Sequence, residues 1–92
     1  MEEARQSVTI VNRRGLHARA SAKFVGAVAA LSDGMTVTVT KGPHSAAGGS
    51  ILGLMMLGAA KGDSVEVVVE GDGADAVLAD LIALIAGGFG ED

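Results

Sequence analysis

Three stretches of this chain alternate from side to side as strands do, and two others repeat apolar residues at helical spacing. From Gln6 to Asn12, Val8, Ile10 and Asn12 fall on one side and Thr9 and Val11 on the other, which predicts a first strand. Arg13 to Leu16 reads as a turn around Gly15. Ala18 to Leu31 then carries Ala20, Phe24, Val28 and Leu31 at spacings that make one stripe, as an amphipathic helix packed on a sheet requires. Ser32-Asp33-Gly34 ends it with turn chemistry.

Met35 to Thr40 alternates cleanly, with Met35, Val37 and Val39 on one face and three threonines on the other, so a half-buried strand is expected. Lys41-Gly42-Pro43 punctuates it, and His44 to Ala47 reads as a short edge strand. Ser50 is placed to cap a short helix over Ile51 to Leu57, which Gly58 closes. From Asp63 to Gly71, Val65, Val67 and Val69 alternate with Glu66, Val68 and Glu70. Asp72 is then expected to cap a last helix, with Asp75 complementing its dipole and Leu78, Leu81, Ile82 and Ile85 on its buried face. Gly87-Gly88 stops it, leaving residues 89–92 to fray.

The resulting order, β-α-β-β-α-β-α, predicts an α+β fold: a two-layer sandwich with a four-stranded antiparallel sheet covered on one face by three helices. No linker, repeat or low-complexity tract divides the chain, so residues 1–92 are expected to form one domain.

Composition and charge narrow the function classes. The formal charge is −4, and two phenylalanines with no tyrosine or tryptophan leave little for base stacking, which disfavours nucleic-acid binding. The cations are nonetheless concentrated: Arg5, Arg13, Arg14, Arg19 and Lys23 lie in the first quarter, whereas the fixed charges from Asp63 onward are all acidic. That cluster is either a solvated face or a small anion-steering field. The absence of cysteine removes thiol chemistry and fits a reducing compartment. No secretory signal is visible, and no apolar run reaches bilayer-spanning length, so a soluble cytoplasmic protein is expected.

Candidate chemistry gathers in Gly15-Leu16-His17-Ala18-Arg19, which sets a histidine where a loop turns into a helix. Neutral imidazole is a good nucleophile near neutral pH, and a helix start offers unpaired N–H donors to an anion. Arg19 adds a guanidinium able to grip phosphate oxygens. The pentapeptide supports two readings, a seat for a transient phosphohistidine or a polar cap. Ser50 is likewise either a cap or a phosphorylation site at a helix start. So short a helix cannot bury Ile51, Leu52, Leu54, Met55, Met56 and Leu57 together. Either some of them face a partner, or the helix is sunk in the core. His17 and His44 have no cysteine or carboxylate pair at ligand spacing, so no metal or cofactor is expected. The small chain has little wall area for a deep pocket, so any phosphoryl donor would be another protein.

These motifs resemble those of the HPr family, the histidine-containing phosphocarriers of the bacterial phosphoenolpyruvate-dependent phosphotransferase system. Gly15 to Arg19 is similar to the family's active-centre signature, and Gly49 to Ala59 to its regulatory-serine region. The resemblance implies an open-faced β-sandwich in which His17 takes a phosphoryl group on Nδ1 and Arg19 is the active-centre arginine. It implies Enzyme I as donor and EIIA-type proteins as acceptors. It further implies Ser50 as a target of HPr kinase/phosphorylase in members so regulated, with Ile51, Leu52 and Met55 as a docking patch. The chain would then be a carrier acted on by enzymes, best served as a monomer, in sugar uptake or a nitrogen-related branch. Ala20 stands where the family usually has proline, and Gly49 where a basic residue often precedes the serine. The competing expectations are a regulatory module that acts through Ser50 without carrying phosphate, and a generic interaction domain or small-ligand sensor in which His17 is an ordinary cap.

Overall fold

The computed structural model of the chain describes residues 2–91. Its elements are β1 (Glu3–Thr9), α1 (Ala18–Ala29), β2 (Thr36–Lys41), β3 (His44–Ala47), α2 (Ile51–Met56), β4 (Ser64–Glu70) and α3 (Ala74–Ala86). A single 3-10 turn at Gly88–Gly90 follows. The sheet has four strands in the order β1-β4-β2-β3, every neighbouring pair antiparallel. This is the expected α+β architecture, with one face of the sheet under helices and the other open.

Period-two patterning explains the sheet. β4 is flanked on both sides, and its Val65, Val67 and Val69 are almost wholly buried. Register sets Val69 between Ala4 and Val37, and Val67 beside Val39. Val39 in turn lies opposite Ala46 of β3. These side chains meet Ala20 and Phe24 of α1, Leu54 of α2, and Leu78, Leu81 and Ile85 of α3 in one core. Each fully buried valine or leucine contributes roughly 1.5–3 kcal/mol over its exposed state, so β4 is the sheet's centre of gravity. The open face is polar. Glu3 and Glu70 sit opposite each other there, and Arg5 lies against Glu3 at 2.8 Å and Glu66 at 3.4 Å. Those exposed contacts offset local like-charge repulsion and add little more.

Several expected boundaries move, each for a physical reason. β1 is Glu3–Thr9 rather than Gln6 to Asn12. As an edge strand it is held by its ladder to β4, so its mostly polar first half pairs despite having little to bury. Ile10 is past the strand yet fully buried, its N–H donating to Asp63 O and its carbonyl accepting from Gly62. α1 stops at Ala29, short of Leu31, which is only half-buried. Asp72 does not cap α3: the N-cap is Gly73, in a left-handed conformation with no side-chain cap bond. The carboxylate that reaches this end is Glu2, whose Oε1 accepts from Gly73 N–H at 2.6 Å.

The largest correction concerns the C-terminus. Residues 89–91 do not fray; Asp92 lies outside the described residues. Phe89 is buried in the core although its φ of 57° is left-handed. That conformation costs a non-glycine residue about 1–2 kcal/mol, and burying a phenyl ring, worth roughly 1.5–3 kcal/mol, offsets it.

Gly15 ties the β1–α1 loop to the α2–β4 loop. Its φ is 61°, and a Cβ there would overlap the Ala59 carbonyl. Leu16 N–H donates to that same carbonyl at 2.9 Å. The receiving turn is braced by Asp63, whose carboxylate accepts from Ala60 N–H at 2.9 Å. That bond, helped by nearby Lys41, holds the Asp63 carboxyl below its ordinary range. Gly15→Ala is therefore expected to lower stability by about 1–3 kcal/mol, combining backbone strain with overlap. A urea-denaturation midpoint equal to the parent's would contradict this.

Candidate functional site

His17 is the N-cap of α1, with extended backbone (φ −75°, ψ 179°), and its carbonyl accepts from Ser21 N–H at 2.9 Å. The helix starts here because the tight turn at Gly15 aims the chain and Ser21, itself buried, anchors the first turn by donating its hydroxyl to Leu16 O. His17 Nδ1 faces the helix and accepts from Arg19 N–H at a long 3.4 Å. The other ring nitrogen, Nε2, sits 3.0 Å from both carboxylate oxygens of Glu91. The ring thus has one nitrogen at a helix N-terminus and one on a carboxylate.

Glu91 is brought there by the docked C-terminal segment. Lys23 Nζ donates to Phe89 O at 2.7 Å, and Glu91 N–H closes a turn onto Gly88 O. Asn12 completes the support: its Nδ2 donates to Gly15 O at 2.8 Å and to Glu91 Oε1 at 3.2 Å. Both partners are acceptors, which fixes the orientation of the amide. Its buried Oδ1 has no hydrogen-bond partner among the described residues. The hydrogen bond from His17, then that from Asn12, holds the Glu91 carboxyl below its ordinary range against the opposing effect of burial, and Lys23 adds to the lowering.

An open cleft of roughly 390 Å³ surrounds the ring, lined by Arg13, Arg14, His17, Arg19, Lys23, Gly90 and Glu91. Four fixed cations face one carboxylate in a chain whose formal charge is −4. Of the five early cations the sequence singled out, four are therefore gathered at one spot, while Arg5 lies on the open sheet face with Glu3 and Glu66. Such a cleft favours a small dianion and disfavours a bulky apolar ligand. Among the described residues no group of three potential ligands could hold a metal ion.

Ser50 is the N-cap of α2, its Oγ accepting from Gly53 N–H at 3.0 Å. A Cβ on Gly53 would crowd Ser50 and Ala46, so glycine there lets the helix start lie close on β3. Within α2 only Leu54 is buried. Ile51, Leu52, Met55 and Met56 are between 40% and 77% exposed, so the outward-facing alternative holds and the sunken helix does not. α2 packs beside α1, and its exit at Leu57 to Ala59 runs to the carbonyl that receives Leu16. His44 lies on the exposed edge strand, outside the cleft.

Sequence reasoning placed His17 and Arg19 together but missed Glu91 and the supporting role of Asn12. A signal was present: Phe89 follows a Gly-Gly stop, and a phenylalanine in a chain with only two is poorly spent on solvent.

Comparison with known proteins agrees with this fold. The family described as "PTS HPr component phosphorylation site" matches residues 4–87. The phosphocarrier protein HPr of Neisseria meningitidis is 48% identical over 88 residues, covering 95% of this chain and 96% of that protein. The phosphocarrier protein NPr of Shewanella violacea is 36% identical over 91 residues, covering 99% and 98%. The crystal structure of HPr-C-His from Thermoanaerobacter tengcongensis superposes with a TM-score of 0.86 at 35% identity, covering 100% and 99% of the two chains. The structure defines a small α+β protein with a histidine at a helix start. The chain belongs to the HPr family of phosphocarrier proteins of the phosphotransferase system. No helix among the described residues is long and apolar enough to cross a membrane.

Acid should release the C-terminal segment. A carboxylate whose folded-state value is depressed contributes stability above its unfolded range, and that contribution is lost as pH falls through the folded value. The Glu91 carboxyl is expected to titrate below ordinary glutamate, with Phe89 resonances shifting in step, in an NMR pH titration. Titration at or above the ordinary glutamate value would contradict the docking.

Proposed function

We propose that His17 is the phosphoryl acceptor of this carrier, loaded through Nδ1 by phosphorylated Enzyme I and unloaded by an EIIA-type protein. The observation that carries the reading is the placement of Nδ1 at the start of α1, within a cleft lined by Arg13, Arg14, Arg19 and Lys23. The Nδ1 lone pair attacks phosphorus, the N–P bond forms, and the bond from phosphorus to the donor breaks with its electron pair. The reverse exchange passes the group to the acceptor. The chain performs no turnover of its own; partner enzymes act on it.

Positioning and charge do the work. The first N–H groups of α1 have no intrahelical acceptors, and that of Arg19 already reaches Nδ1, so they are available to a phosphoryl group there. The Arg19 guanidinium would bind its oxygens and steady the dianionic group as it passes between partners. The open cleft leaves the phosphorus reachable in line by a partner's nucleophile. The exposed Ile51, Leu52 and Met55 offer an apolar surface for those partners, and methionine adapts to more than one. This serves either a sugar-uptake or a nitrogen-linked relay.

Ser50 is the proposed regulatory site. Its Oγ already caps α2, so a phosphate added by HPr kinase/phosphorylase would meet the same helix start and bring close to two negative charges beside the apolar patch. An acidic partner surface would then be repelled.

Incubation with Enzyme I and labelled phosphoenolpyruvate tests the carrier role. Acid-labile label is expected on the parent and absent from His17→Ala, while Arg19→Ala should slow labelling by about 10–100-fold, the loss of one charge-assisted contact or two. Label surviving in His17→Ala would overturn the assignment. For Ser50, the variant Ser50→Asp should accept phosphate from Enzyme I more slowly than the parent; equal rates would remove the switch.

A further inference from the structure

We propose that Glu91 is a positioning residue for phosphotransfer, its carboxylate keeping a proton on His17 Nε2 while Nδ1 gains and loses the phosphoryl group. The proposal rests on the carrier reading of His17 and names a residue that the active-centre signature does not contain.

Hydrogen-bond chemistry assigns the tautomer from both ends of the ring. An ionised carboxylate can only accept, so Nε2, 3.0 Å from both Glu91 oxygens, carries the hydrogen. Nδ1 accepts from Arg19 N–H and so carries no hydrogen; that bond is long at 3.4 Å and gives way when the lone pair attacks phosphorus. Neither ring nor carboxylate is loosely placed: their side chains are 20% and 16% exposed. Glu91 is further held by Asn12 Nδ2, and its segment is anchored by buried Phe89 and the Lys23 bond to Phe89 O.

The proton on Nε2 matters to both half-reactions. A neutral ring attacking through Nδ1 becomes cationic when the N–P bond forms, provided Nε2 keeps its hydrogen. On release the N–P electron pair returns to Nδ1 and the ring is again neutral imidazole, a good leaving group. Were Nε2 deprotonated in the phosphorylated state, the leaving group would be an imidazolate, which departs poorly. A carboxylate on Nε2 stabilises the cationic ring, so neither transfer requires a proton to move. The other charged groups lining the ring's cleft are Arg19 and Lys23 from α1 and Arg13 and Arg14 from the preceding loop. All four disfavour a cationic ring, and among the described residues lining the cleft Glu91 is the carboxylate that opposes them.

The test uses the full chain and its Glu91→Gln and Glu91→Ala variants, each phosphorylated by Enzyme I and phosphoenolpyruvate. Loss of phosphohistidine is followed by phosphorus NMR as a function of pH. The fast-hydrolysing limb, which reports the protonated ring, should extend about one pH unit higher in the parent than in Glu91→Gln, a tenfold change in the protonated fraction. Glu91→Gln preserves side-chain shape, and unchanged Phe89 resonances show the segment still docked. Should the segment undock in that variant, the same comparison is made with Glu91→Asp, where partial recovery of the parent profile is expected and none would overturn the role. Coincident profiles in parent and docked Glu91→Gln would eliminate the role of Glu91 while leaving the carrier intact. No phosphohistidine at His17 of the parent would instead remove the carrier reading, and this proposal with it.

Discussion

The seating of Gly15 and Leu16 against the Ala59 carbonyl is the constraint on which the rest of the site depends. It makes a tight left-handed turn at the end of the first connection, and so decides where α1 begins and which residue stands at its N-cap. Without it His17 would be one more polar residue on a loop. The same contact joins the β1–α1 loop to the segment leaving α2. The histidine and the exposed apolar residues of α2 are thereby parts of one connected surface, although they lie far apart in sequence. Asp63 and Lys41 stiffen the receiving turn from the sheet side.

On this frame the electrostatics are simple. An acidic chain collects Arg13, Arg14, Arg19 and Lys23 around one imidazole and then sets the Glu91 carboxylate behind it. The cations suit a dianionic group arriving at Nδ1, and Glu91 suits a ring that becomes positive when the group is bound. The opposing charges act on different atoms of the same side chain. That division is what a carrier of a labile bond requires: the phosphoryl group must be held well enough to survive transit and loosely enough to leave.

Much of this was legible in the residues. The alternation in β2 and β4 and the Ala20–Phe24 spacing in α1 reflect burial on one face, a signal that single sequences carry well. β1 was displaced because an edge strand is defined by its ladder, and Glu3, Arg5 and Ser7 have no apolar face to announce it. Asp72 was expected to cap α3 from local chemistry, yet the chain enters that helix through left-handed Gly73, and the carboxylate comes from Glu2 across the fold. The caps at His17 and Ser50 and the nearness of Arg19 to the ring were legible because caps are local. Glu91 and Asn12 were not, because their partnership joins residues 79 apart and exists only after Phe89 has docked. The sequence order Gly-Gly-Phe-Gly looks like a terminator; only the core shows it to be an anchor.

The central claim is that Nδ1 of His17 carries the phosphoryl group while Nε2 keeps its hydrogen. Uniform nitrogen-15 labelling followed by transfer from Enzyme I allows the phosphorus coupling to each ring nitrogen to be read directly. The account predicts a one-bond coupling to Nδ1 and a protonated Nε2 at neutral pH. Phosphorus on Nε2, or on any residue other than His17, would contradict it.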